Sequence, residues 1–215
     1  MRVAARTNFV AAVAFTIGGT LFALGAAVAQ VGSGDASTSA SIYLIGGVFF
    51  SIGGYTSLLL AINAPGADGD IPDWRWWRYE PMRIDWLSAF VLFAGTLVFA
   101  ISLGDSFIQG LSQQQDNRLI WAPDLVGCIL FLISGHLALV AISPGWERWR
   151  PRRQLSWQIV AINQVGSILF LLSALAAYTR PATDSLVNVD VANWGTLTGA
   201  LCFAIGGVMQ AFERP

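Results

Sequence analysis

At 215 residues, with 55% hydrophobic and only 12% charged side chains, the chain carries about half the charge usual for a soluble domain. A formal net charge of −1 sets up no field suited to nucleic acid or to a strongly acidic partner. Mean hydropathy is +0.60 and the charges are clumped between long bare segments, which points to an all-α polytopic membrane protein.

A helix needs about 20 mainly apolar residues to cross the hydrocarbon core, where lipid offers no partner to exposed backbone groups. Six segments qualify, at approximately 8–29, 41–63, 84–104, 120–143, 155–178 and 191–212. The first follows Arg2 and Arg6 and ends at Ala27-Val28-Ala29 before Gln30, a pattern shared with cleavable signal peptides. Its apolar run is longer than the roughly 7–15 residues of such leaders, so it is expected to remain a span.

The loop before the third span is rich in Trp and Arg: Trp74, Arg75, Trp76, Trp77, Arg78 and Arg83, with Asp85 and Trp86 opening the helix. An ion pair or cap is expected of Asp85. Trp121-Ala122-Pro123-Asp124 opens the fourth span, and Asp124 is expected to complement the helix N-terminal dipole, ahead of an ion site. His136 is the single histidine. A buried imidazole bonded to a neighbouring helix is expected there, ahead of a proton relay or axial haem ligand.

The next loop repeats the composition of the second, with Trp146, Arg148, Trp149, Arg150, Arg152 and Arg153 before Trp157. Gln158, Asn163 and Gln164 make the fifth span the most polar. Interhelical hydrogen bonding is the common role of such amides, and lining a path is the alternative. Asn193-Trp194 reads as an interfacial anchor. Cys128 and Cys202 lie in apolar runs, where they read as small packing residues.

All twelve basic residues are Arg. Ten lie at the two termini and in the second and fourth loops; only Arg118 and Arg180 fall on the other side. The positive-inside rule then puts both termini in the cytoplasm.

Every span carries Gly, then Phe four residues on, then Gly or Ser three further. The copies are Gly18-Phe22-Gly25, Gly46-Phe50-Gly53, Gly95-Phe99-Ser102, Gly127-Phe131-Ser134, Gly166-Phe170-Ser173 and Gly199-Phe203-Gly206. Positions i, i+4 and i+7 share one helical stripe. Lipid supplies no hydrophobic drive for helices to associate, so close contact at small residues must hold them together. One copy per span, with Trp/Arg loops echoing each other, predicts a single membrane domain over 1–215 made of three parallel-repeat helical hairpins: 8–63, 84–143 and 155–212.

A two-helix unit with Gly and Phe so spaced, as in Gly95-Thr96-Leu97-Val98-Phe99 and Gly166-Ser167-Ile168-Leu169-Phe170, resembles the YrhK-like family of small bacterial membrane proteins. The wider layout, with Trp-Arg-Trp-Trp before the third span and Trp121-Ala122-Pro123-Asp124 at the fourth, is similar to multi-pass actinobacterial proteins carrying that domain. The resemblance covers the hairpins and implies no activity, cofactor or site residue.

Catalysis needs converging acid, base or metal ligands. One His and scattered Asp supply none, so no catalytic, cofactor or metal residue is assigned and the chain is not expected to be an enzyme. The function expected is a scaffold, accessory or lipid-interacting component. The alternative is a small channel or transporter with Asp124, His136, Asn163 and Gln164 on a shared cavity. The expected partner is the bilayer itself. The Trp/Arg belt serves there as interfacial anchor, or more specifically as a surface for anionic lipid head groups.

Overall fold

The computed structural model describes residues 2–32, 36–65, 73–142 and 155–213. Six helices are long and apolar enough to cross a membrane: α1 (Arg2–Val31), α2 (Ala36–Ile62), α3 (Ile84–Asp105), α4 (Gln113–Ile142), α5 (Leu155–Ala176) and α6 (Val189–Gln210). The two remaining elements are strands β1 (Thr179–Arg180) and β2 (Ser185–Leu186), an antiparallel clip between α5 and α6.

Each helix packs on its sequence neighbours, and α1 closes onto α6, so the six form a ring. Small residues allow the closure. A methyl group at Gly19 would stand 2.7 Å from the Ala200 carbonyl oxygen, and one at Gly207 would stand 2.7 Å from the Thr16 nitrogen. Amides lock both ends of this seam. Asn8 Nδ2 donates to the carbonyls of Gln210 (3.1 Å) and Glu213 (3.2 Å), and Gln210 Nε2 donates back to Asn8 Oδ1 (3.0 Å). At the opposite end Gln30 accepts from Asn193 and donates to Asp190, each at 2.9 Å. Asn8→Ala removes three bonds from a buried site. It is expected to lower stability by about 1–3 kcal/mol, read as a lower unfolding midpoint in detergent.

The Gly-Phe stripe accounts for the interior. In the pairs α1–α2, α3–α4 and α5–α6 the Phe of one helix covers the Gly of its partner: Phe50 on Gly18 and Phe22 on Gly46, Phe131 on Gly95 and Phe99 on Gly127, Phe203 on Gly166 and Phe170 on Gly199. Beneath the rings the backbones nearly touch. A methyl at Gly166 would lie 2.9 Å from the Gly199 oxygen, and one at Gly199 would lie 3.0 Å from the Gly166 oxygen. Such reciprocal approach of Cα–H to carbonyl is a recurrent weak bond between helices.

All six rings belong to one buried cluster on the ring axis. Phe22 meets Phe50 at 5.2 Å, Phe99 at 5.5 Å and Phe170 at 6.4 Å between centroids. Phe203 stacks on Phe170 at 5.4 Å and meets Phe50 edge-on at 5.4 Å. The centre of the bundle is thus an aromatic plug. Buried hydroxyls also bond across two of the helix pairs. Ser88 and Ser134 each donate to the other's carbonyl (2.9 and 2.8 Å), and Ser173 donates to the Ala192 carbonyl.

Helix α4 departs from its expected start at residue 120. It begins at Gln113, capped by Ser112, whose side chain accepts from the Gln115 N–H while Gln115 reaches back to Ser112. It then widens into a π-helical turn over Asn117–Trp121, where the Ala122 N–H donates to the Asn117 carbonyl. Pro123 supplies the cause. It has no N–H for the Leu119 carbonyl, and its ring crowds that carbonyl, so the turn before it opens.

Candidate functional site

Two cavities flank the plug and share no lining residue. The proximal cavity, at the end where Asn8 meets Gln210, measures about 300 Å3. Its walls are Ser88, Ser134, Asn163 and Ser167, its floor Phe131 and Phe203, and its mouth Asp85 and Glu213. Ser156 donates to Glu213 across that mouth. The distal cavity measures about 570 Å3 and is lined by Tyr43, Ser102, Asp116, Trp121, Asp124 and Thr179, among others.

A strap formed by 73–83 lies across the proximal ends of α2 and α3. Side chains from those helices hold its irregular backbone. Asn63 pairs with both the N–H (2.7 Å) and the carbonyl (2.8 Å) of Arg75, Tyr55 donates to the Trp76 carbonyl, and Trp86 Nε1 donates to the Arg78 carbonyl (2.9 Å). Trp86 is fully buried, stacked on Phe90 at 4.9 Å with Tyr79 edge-on. Protein side chains thereby satisfy backbone groups that no helix or strand pairs. The strap's outer surface is aromatic and basic, with Trp76 68% exposed, Trp77 and Tyr79 exposed, and Trp74 half-buried. Arg78 pairs with Glu80 (3.0 Å), while Arg83 bridges Glu80 (2.6 Å) and Asp85. Among the described residues the Arg75 guanidinium has no acidic partner. The equivalent Trp146, Arg148, Trp149 and Arg150 lie outside the described residues.

The four polar residues singled out from the sequence occupy four settings. His136 is exposed on the outer face of α4, with no hydrogen-bond partner among the described residues. This corrects the expectation of a buried, bonded imidazole. His136 lies nine residues after Gly127, which on a helix is about 180° from the inward stripe. Asp124 lines the distal cavity. It stands in the first turn of the regular α-helical part, Ala122–Ile142, where it was expected, but the π turn and Gln113–Asp116 extend the helix ahead of it.

Asn163 lines the proximal cavity, and Gln164 lies between α5 and α4, donating to the Leu132 carbonyl at 3.4 Å. Among the described residues the side-chain oxygens of both amides are buried without a hydrogen-bond donor. Asn163 Oδ1 presses on Gly206 and Gln164 Oε1 on Gly135, each where a Cβ would otherwise stand. The bond in that direction is Cα–H, so each oxygen faces a weak donor. These amides act as helix couplers. Asn193, expected as an anchor, instead bonds α6 to Gln30 of α1, while its neighbour Trp194 is exposed.

Three features have little or no local signal in the sequence: the strap's side-chain clamps, the seam amides Asn8 and Gln210, and the presence of Asp116 beside Asp124 in the lining of the distal cavity. Only the last had a local signal, the Ser112-Gln113-Gln114-Gln115 capping pattern that starts α4 early. No family model, curated protein or solved structure matches the chain.

Proposed function

We propose that this chain is a non-enzymatic integral membrane component, a scaffold or accessory protein that works through its helix ring and through lipid contact at the strap. The observation that supports this reading most is the phenylalanine plug, which separates two cavities with no common wall. The alternative, a channel or transporter using Asp124, His136, Asn163 and Gln164 on one path, has less support because these residues face different surroundings. In this reading the ring consists of three copies of one hairpin, as the recurrence of the same Phe-on-Gly contact suggests. Kinship with YrhK-like proteins rests on that same unit. Arginine placement favours cytoplasmic termini, with the strap and the proximal cavity on the same side, and the YrhK-like resemblance favours the bacterial inner membrane.

Reconstituted vesicles carrying the protein should release entrapped ions and dye no faster than protein-free vesicles; a protein-dependent flux would overturn the reading. At the strap, exposed Trp76 and Trp77 beside Arg75 and Arg78 suit anionic head groups, at about 1 kcal/mol per basic residue near the surface. Raising the anionic lipid fraction in nanodiscs should raise the unfolding midpoint, and Arg75→Gln with Arg78→Gln should reduce the gain. A midpoint indifferent to lipid charge would leave interfacial anchoring alone.

A further inference from the structure

The distal cavity is the larger of the two that flank the plug, at about 570 Å3, within the range of small-molecule sites. Its charged lining consists of two carboxylates, Asp116 and Asp124. Neither has a hydrogen bond or ion pair from its side chain among the described residues. The two described cations at this end are turned elsewhere: Arg118 is exposed, and Arg180 donates to the Val187 carbonyl.

Regular helix geometry would hold these carboxylates apart. Eight residues at about 100° each leave them about 80° apart around the axis. The π turn at Asn117–Trp121 absorbs one residue, so the separation behaves as seven, and both acids come to within about 20° of one face. The same turn carries Ile120 and Trp121 into the lining. Trp121 is fixed in place, its Nε1 donating to the Ala174 carbonyl (2.8 Å) and its ring against Tyr178 at 4.8 Å. Tyr43 enters from α2, and Ser39, Ser102, Ser106 and Thr179 bring hydroxyls. The clip β1–β2 bounds the space and is tied to α4 by Asn117, which bonds both the N–H and the carbonyl of Thr179.

Two unpaired carboxylates attract positive charge, and aromatic rings bind cations through their faces. A bare metal ion would need several converging oxygen ligands, whereas this space is wide and mostly walled by carbon. We propose that the distal cavity is a binding site for a small organic cation, held by the carboxylates of Asp116 and Asp124 and the rings of Tyr43 and Trp121. The proposal goes beyond the scaffold reading and does not depend on it.

The test uses the full-length protein in nanodiscs, with empty nanodiscs subtracted. The probes are tetraphenylphosphonium and its anionic counterpart of the same shape, tetraphenylborate. Saturable binding of the cation, displaced by tetraethylammonium and at least tenfold tighter than any saturable binding of the borate, is expected. Asp124→Asn and Asp116→Asn keep side-chain shape, and each should weaken cation affinity tenfold or more with the unfolding midpoint preserved. Trp121→Phe should weaken it less. Equal binding of both probes, no saturable cation binding, or affinity within twofold in the folded Asp variants would overturn the proposal. If one Asp variant does not fold, the other decides.

Discussion

Gly166→Leu will fail to accumulate as a folded protein, while Gly104→Leu will behave like the unsubstituted chain. Both glycines are in membrane-spanning helices, so helix propensity and hydropathy favour leucine equally at each. They differ in what lies opposite. A Cβ at Gly166 meets the Gly199 carbonyl oxygen at 2.9 Å and the Cys202 Cβ at 3.0 Å, whereas nothing lies within 4 Å of one at Gly104. Overpacking a core usually costs about 1–3 kcal/mol. The cost at Gly166 should exceed that, because the obstacle is main chain in a neighbouring helix and cannot rotate aside. Membrane-fraction yield and the unfolding midpoint of the pair would check the expectation, and comparable midpoints would refute the packing account.

The second large effect is expected at the plug. Phe22 is 2% exposed and meets Tyr43, Phe50, Phe99 and Phe170. Truncating it to alanine should cost about 3–5 kcal/mol, since a buried Phe→Ala change loses transfer energy and leaves a void. The void would lie between the two cavities. Phe22→Ala vesicles should therefore become leaky to small ions where the unsubstituted protein is tight. Phe212→Ala, at a 76% exposed ring beyond α6, should change neither stability nor leakage. Stability unchanged in Phe22→Ala would show that the rings are not closely packed against one another.

The spans were legible in the sequence because lipid leaves so few alternatives: an uncharged run long enough to cross must be a helix. The Gly-Phe stripe was legible for a related reason, since a ring and a notch on one face of every helix have an obvious use. What escaped notice depended on phase and on distant partners. His136 drew attention by chemistry alone, although its half-turn offset from Gly127 already placed it outward. Asp116 was passed over because the apolar run begins near residue 120, which leaves it in a loop; only the early, Ser112-capped start and the widened turn before Pro123 bring it onto the wall that carries Asp124. Asn8 and Gln210 bond across nearly the whole length of the chain, and no local pattern announces such a pair. The strap's irregular path is set by Asn63, Tyr55 and Trp86, each of which reads alone as an ordinary span residue.

The seam between α1 and α6 has a consequence for biogenesis. The face of α1 that carries Gly19 and Thr16 packs on Ala200, Ala204 and Gly207, which the ribosome delivers only after the four helices between. Throughout insertion of the intervening four helices, that face rests against lipid with its notches unfilled, open to any passing helix with small residues of its own. Neighbouring helices can pair as they emerge, but closure must wait for α6. Long-range contacts of this kind are slow to form and exposed to error. A stalled or shortened product would therefore present an open arc with two unsatisfied edges, a natural target for membrane proteolysis.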